Sequence, residues 1–266
     1  MRCLALIPKF FFNAVVSIGS KINDEIKWIG TGFLVGRKEE NLDSYTIFLI
    51  TNHHIVEKKS LIFVRFNKKL SPEFVDCEII LNQNNKVQYS IHTTADIVAI
   101  QLSHAFLQNK NIEYNWFSLD KHALLANDMK NTDVIEGCLI YSLGYPISLI
   151  GSSKNFPICR LGCISRISEL FDSKGGNEYL VDLQTIPGNS GSPIINRPEN
   201  SYIQGTSNND SANLIGIISG TIDYSEKCKD KKCEYGYEKN SGLTIVHTVD
   251  SIIEVVEMEY QRKKEV

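Results

Sequence analysis

The sequence predicts an all-β protein, a sandwich or a pair of barrels, closed by one C-terminal α-helix. Three observations carry that reading. Twelve short runs rich in Val, Ile, Phe and Tyr alternate with polar or Gly-containing turns, almost no helical period separates them, and helical spacing begins only at Val249.

In chain order the first six runs are NAVVSIG, IKWIGTGFLVG, YTIFLI, LIFVRF, CEIIL and DIVAIQL, and the next six are GCLIYSLG, CRLGCISRI, EYLVDLQT, SPIIN, LIGIISG and LTIV. Between the two sets, residues 103–133 lose the strand rhythm. This divides a single domain over 1–266 into an N-terminal half (1–115), a connector (116–132) and a C-terminal half (133–247). Residues 248–266 follow as helix and tail. Val249, Ile252, Ile253 and Val256 recur at helical spacing, with Thr248 or Asp250 placed to cap, so the helix is expected to pack back onto the β-structure. The charged end QRKKEV is expected to fray. The stretches ENSYIQGTSNNDSAN and SEKCKDKKCEYGYEKN read as the longest polar loops.

At 266 residues and 42% apolar content, the chain is large enough for a substantial core. Its formal charge of −3 gives no general reason to expect nucleic acid or an anionic membrane as partner. Pro8, Lys9 and Asn13 interrupt the apolar start too early for a signal-peptide core, so mature protein is expected there. Seven cysteines, an odd number, suit reduced thiols in a cytoplasm better than a disulfide framework. Cys228 and Cys233, even with His247, fall short of a zinc-ligand pattern, and no metal or organic cofactor is expected.

The chemistry concentrates in IPGNSGSPIIN, residues 186–196. Gly188 and Gly191 flank Ser190 in a turn that exposes its hydroxyl, and the N–H groups of Gly188 and Ser190 are candidates for an oxyanion hole. A serine hydroxyl needs a base, and that base needs a carboxylate to fix its tautomer. His54 in TNHHIV and Asp96 in ADIVAIQL, both expected at strand ends, supply these. Strand alternation would send His53 and His54 to opposite faces, so only one of them can serve.

TNHHIV, ADIVAIQL and PGNSGSP, in that order, resemble the His, Asp and Ser motifs of the trypsin/chymotrypsin superfamily, and most of all its bacterial Deg/HtrA-type branch. GTGFLVG, EGCLIYSLGYP, RLGCISRI and LIGIISG resemble further strands of that family, so the likeness spans roughly residues 13–256. It implies two packed six-stranded antiparallel β-barrels and a serine endopeptidase with His54, Asp96 and Ser190 as triad. Matching Ile55 and Val56 to the motif's apolar pair makes His54 the base and leaves His53 without a role. The resemblance also implies that Ser219 hydrogen-bonds the catalytic aspartate, and that Gly220 and Thr221 pair with an extended substrate backbone.

Several positions depart from the family pattern. Asn189 stands where zymogen-type members have aspartate, which argues against activation by N-terminal cleavage. Gln184 stands where trypsin-like enzymes hold the acid that binds Arg or Lys, which removes the usual warrant for a basic preference; Asp182 or the segment after Thr221 remains as a source of charge. The glycine pair after the serine is here Gly191-Ser192. An α/β-hydrolase elbow is disfavoured because Ser192 occupies the required glycine position and the chain does not alternate strand and helix. The remaining alternative is the same double barrel used as a binding or scaffolding module. A cytoplasmic protease without a zymogen switch endangers its own cell, so the expected partners are a protein or peptide substrate and an activating protein, with no nucleic acid and no membrane.

Overall fold

A computed structural model describes residues 7–172, 176–199, 209–230 and 233–265. Each of the twelve predicted runs is a strand. The first half holds β1 (Val15–Ile22), β2 (Glu25–Lys38), β3 (Tyr45–Thr51), β4 (Leu61–Lys68), β5 (Phe74–Ile80) and β6 (Val98–Leu102). The second holds β7 (Leu139–Gly144), β8 (Ile158–Arg166), β9 (Glu178–Asp182), β10 (Pro193–Asn196), β11 (Leu214–Asp230) and β12 (Cys233–Thr248).

The second half is a closed barrel in the order β7-β8-β9-β12-β11-β10. Its core is Ile140, Ile164, Val181, Ile194, Ile215 and Val246, which point inward from successive strands. The first half is a nine-stranded sheet, because two-residue strands extend the six long ones: Ser90–Ile91 pairs with β6, Ile112–Glu113 with β4, and Phe117–Ser118 runs parallel to β2. Its hydrogen-bonded path runs open from Ile112–Glu113 through β4, β1, β2, β3 and β6 to Ser90–Ile91, with β5 bonded to β4. Between β5 and β6 the chain turns back at Asn84 and Asn85, both at positive φ, so the edge of β6 is covered by Ser90–Ile91 instead of by β5. The segment delivered by this detour carries Asp96.

Of the two stretches read as polar loops, one comes out differently. Residues 225–230 and 233–240 are paired strand, the far part of a β11–β12 hairpin whose register runs from Gly216↔Thr248 to Asp230↔Cys233. Ile222–Ser225 and Glu238–Ser241 are exposed, so these residues carry no buried face and no apolar alternation to announce a strand. Of the other stretch, 200–208 lie outside the described residues, and Glu199 bridges Asn209.

Among the described residues, five α-helices accompany the strands: α1 (Lys9–Phe12), α2 (His53–Val56), α3 (His104–Asn109), α4 (Ala126–Asn131) and α5 (Val249–Lys264). Helix α5 lies in the seam between the halves, where Val249, Ile252, Val255, Val256 and Tyr260 share one core with Phe33, Phe48, Ile195, Leu214 and Ile217. Ile253, expected on that face, is only half-buried, and Val255 takes the inner place. Thr248 occupies the N-cap position without a side-chain cap, while Asp250 instead accepts the N–H of Ala126 at the start of α4 (2.9 Å). The end of α5 is not frayed. Arg262 holds the fully buried Glu259 through two bonds (2.8 and 2.7 Å), and Lys263 reaches Gln88.

Candidate active site

Strand β3 ends at Thr51, and the chain turns at Asn52 into α2. His53 and His54 therefore lie on a helical turn and not on a strand. Their side chains diverge by about 100° instead of pointing to opposite faces. Ile55 and Val56 are buried and anchor the turn, which leaves His53 half-buried and His54 exposed to the cleft. Asp96 likewise sits in a bend ahead of β6, two residues before the strand begins.

Those two bends bring His54 and Asp96 together. Asp96 Oδ2 lies 2.5 Å from His54 Nδ1, and Oδ1 accepts the His54 backbone N–H at 3.1 Å. Burial opposes a charge on Asp96, but the His54 ring and the backbone N–H groups of His54 and His53 outweigh it, and the carboxyl titrates below its ordinary range. His53 thus contributes through its backbone. Asn52 Nδ2 adds a bond to the Asp96 carbonyl (2.8 Å).

The serine turn faces this pair from the second half. Gly188 and Gly191 take φ of +99° and +83°, values that favour glycine. The N–H groups of Asn189, Gly191 and Ser192 donate to Ile186, Ile218 and Ser192's neighbour Asn189 respectively. Among the described residues, the N–H groups of Gly188 and Ser190 have no intramolecular acceptor. Asn189, in place of the zymogen aspartate, is buried and accepts the Ile186 N–H, which tightens the turn from within.

One residue joins the two sides. Buried Thr31 on β2 donates its hydroxyl to the Gly188 carbonyl (2.7 Å) and receives the Tyr145 N–H on it (3.1 Å). Its backbone N–H bonds the Ser190 carbonyl (3.0 Å), and its own carbonyl accepts the hydroxyl of Thr51, three residues before His54 (2.8 Å). Gly191 must be glycine partly for this reason, since a Cβ there would lie 2.0 Å from the Thr31 carbonyl. No hydrogen bond joins His54 to Ser190 in this state, and such contacts often tighten only around substrate.

A pocket of about 350 Å³ opens beside Ser190, lined by Thr185, Ile186, Ile218, Gly220, Thr221 and Asp223 among others. Gln184 is exposed and does not line it, because Thr185 takes the inward place on that strand end. Asp223, from the hairpin, supplies the pocket's carboxylate and accepts the Thr221 hydroxyl (3.0 Å). Ser219 makes no hydrogen bond to Asp96. It is the extra residue of a bulge between Ile218 and Gly220, which turns it out of the strand's regular alternation. Asp96 is supported instead by His247 on β12, whose Nε2 accepts the Asp96 backbone N–H at 3.1 Å. Thr31 went unread in the sequence because no local motif marks it; His247 was weighed there only against a zinc pattern, and Asp223 only as part of the segment after Thr221.

A closed six-stranded barrel packed with a second, open β-sheet, where two six-stranded barrels were expected, carries a His–Asp pair and a glycine-flanked serine in the arrangement of a trypsin-like peptidase. A family model described as a trypsin-like peptidase domain matches residues 30–203, and the chain belongs to that family. Among solved structures, the HtrA-type protease AlgW with a decapeptide is similar in fold at TM-score 0.50 and 14% identity, with 95% of this chain and 66% of that one covered. The MamO protease domain from Magnetospirillum magneticum aligns at TM-score 0.46 and 13% identity over 92% of this chain and 97% of that one. No curated protein matches the sequence.

Proposed function

We propose that the protein is a serine endopeptidase. Ser190 attacks the scissile carbonyl while His54 takes its proton, and Asp96 holds His54 in the tautomer that leaves Nε2 free to accept. The N–H groups of Gly188 and Ser190 stabilise the oxyanion. His54 then returns the proton to the leaving amine, the acyl group stays on Ser190, and water attacks that ester with His54 again as base. An extended substrate adds as a strand along Gly220 and Thr221, and its side chain before the scissile bond enters the neighbouring pocket, where Asp223 favours a cationic group.

The observation that carries this reading is the His54–Asp96 pair held opposite a serine turn in which the N–H groups of Gly188 and Ser190 are the ones left without acceptors. A fluorophosphonate probe tests it. Wild-type protein should label and Ser190→Ala should not, in the presence of an activating partner if the purified chain is silent. Wild type that never labels under either condition would leave the fold as a binding module.

A further inference from the structure

The turn that aims Asp96 has three successive backbone donors, and the acceptors are two imidazoles. Thr94 N and Ala95 N both donate to His92 Nδ1 (3.2 and 2.8 Å), and Asp96 N donates to His247 Nε2. An imidazole nitrogen accepts only while it carries no proton, so these bonds fix both tautomers. His92 bears its hydrogen on Nε2, which donates to Glu254 of α5 (2.7 Å), and His247 bears its hydrogen on Nδ1. Both rings are buried, at 6% and 5% exposure. Neither becomes an imidazolium without losing its acceptor and setting N–H against N–H.

We propose that His247, with His92 beside it, is a positioning residue for the catalytic aspartate: its unprotonated Nε2 latches the Asp96 turn, and protonation releases the latch and shuts the site reversibly as pH falls. The proposal rests on the endopeptidase reading for its effect on activity, though not for its geometry. The groups facing His247 are Glu178 on β9, with Oε2 at 3.9 Å from Nδ1, and Asp96 and His92 in the turn; Glu254 on α5 faces His92. Burial pushes the His247 pKa down, Glu178 and Asp96 act in the opposite sense, and the net direction is below the ordinary histidine range. The latch is therefore closed at neutral pH and opens as pH falls. The other support that the family resemblance implies, from Ser219, is missing here.

The test compares kcat/KM against pH for wild type, His247→Gln and His247→Leu. A glutamine amide oxygen accepts the Asp96 N–H but does not titrate. In wild type, loss of both the His54 base and the latch should make the acid limb approach a slope of two, and His247→Gln should keep neutral-pH kcat while the limb falls to a slope of one. His247→Leu should lose about 10- to 100-fold in kcat with KM unchanged, the scale set by a misplaced catalytic group. A wild-type slope of one, or wild-type kcat in a folded His247→Leu, overturns the proposal; if the leucine variant does not fold, wild type and His247→Gln decide the matter. Should wild type neither label nor cleave, the endopeptidase reading fails, and the latch is still read by nitrogen-15 NMR. The Asp96 amide resonance should then move with His247 protonation in wild type and stay still in His247→Gln, whereas an Asp96 amide indifferent to His247 protonation overturns the latch.

Discussion

His54 and His53 differ by one position and by everything that surrounds them. His54 faces Asp96 through its ring, while His53 contributes backbone to the same carboxylate and its carbonyl to the N–H of Glu57. Peptide-cleavage kinetics should therefore show His54→Ala losing about 10⁴-fold or more in kcat, as expected for a triad member, and His53→Ala within about threefold of wild type. The reverse ranking would move the base by one residue. The three positions proposed as a triad stood out in the sequence because each sits in a short stretch with its own backbone logic: a glycine-flanked serine, a histidine before two anchoring apolar residues, an aspartate before a strand. Thr31 was not legible. Its importance lies in four bonds to Gly188, Tyr145, Ser190 and Thr51, all of them far along the chain from Thr31, and a threonine between two glycines carries no sign of them.

Elements add specificity and local stability. The far part of the β11–β12 hairpin was hidden in the sequence because exposed strands such as Ile222–Ser225 need no apolar face, yet the hairpin brings Asp223 to the pocket beside Ser190. Asp223→Asn should lower kcat/KM for substrates with Lys or Arg before the scissile bond by about tenfold, about 1.4 kcal/mol, and leave apolar ones unchanged. Equal loss on both would assign Asp223 to the hairpin's structure alone. On the other side of the barrel, Glu136 accepts the N–H groups of Ile167 and Ser168 (2.8 and 2.7 Å) at the start of a short 3₁₀ turn. Burial opposes its charge, but those donors bring its pKa down to about 2. A carboxylate lowered on folding stabilises above its unfolded pKa of about 4.3 and loses that effect as pH falls toward 2. Glu136 is exposed, so screening trims the contribution to about 1 kcal/mol. Urea unfolding should show Glu136→Gln less stable by that amount at pH 7, with the gap closing near pH 2; a gap that persists there would contradict the assignment.

At the scale of the molecule, α5 decides whether two halves behave as one. Its apolar spacing was readable, and so was its return onto the β-structure. Its seat in the seam was not, since that depends on Phe33 and Phe48 from one half meeting Ile195 and Leu214 from the other. Ile252→Ala should cost about 2–5 kcal/mol and lower Tm while leaving one calorimetric transition. A mild effect, or separate melting of the halves, would show that the seam does not couple them.

Glu254 and His247 follow the Asp96 turn by about 150 residues, and so are synthesised well after it, yet they hold the turn that carries Asp96. On the proposed latch, a nascent polypeptide whose N-terminal half has already folded on the ribosome presents His54 without a properly aimed Asp96. On the proposed endopeptidase reading, cutting activity then waits until residues 247–254 clear the exit tunnel, so translation itself keeps an unfinished chain from attacking its neighbours or itself.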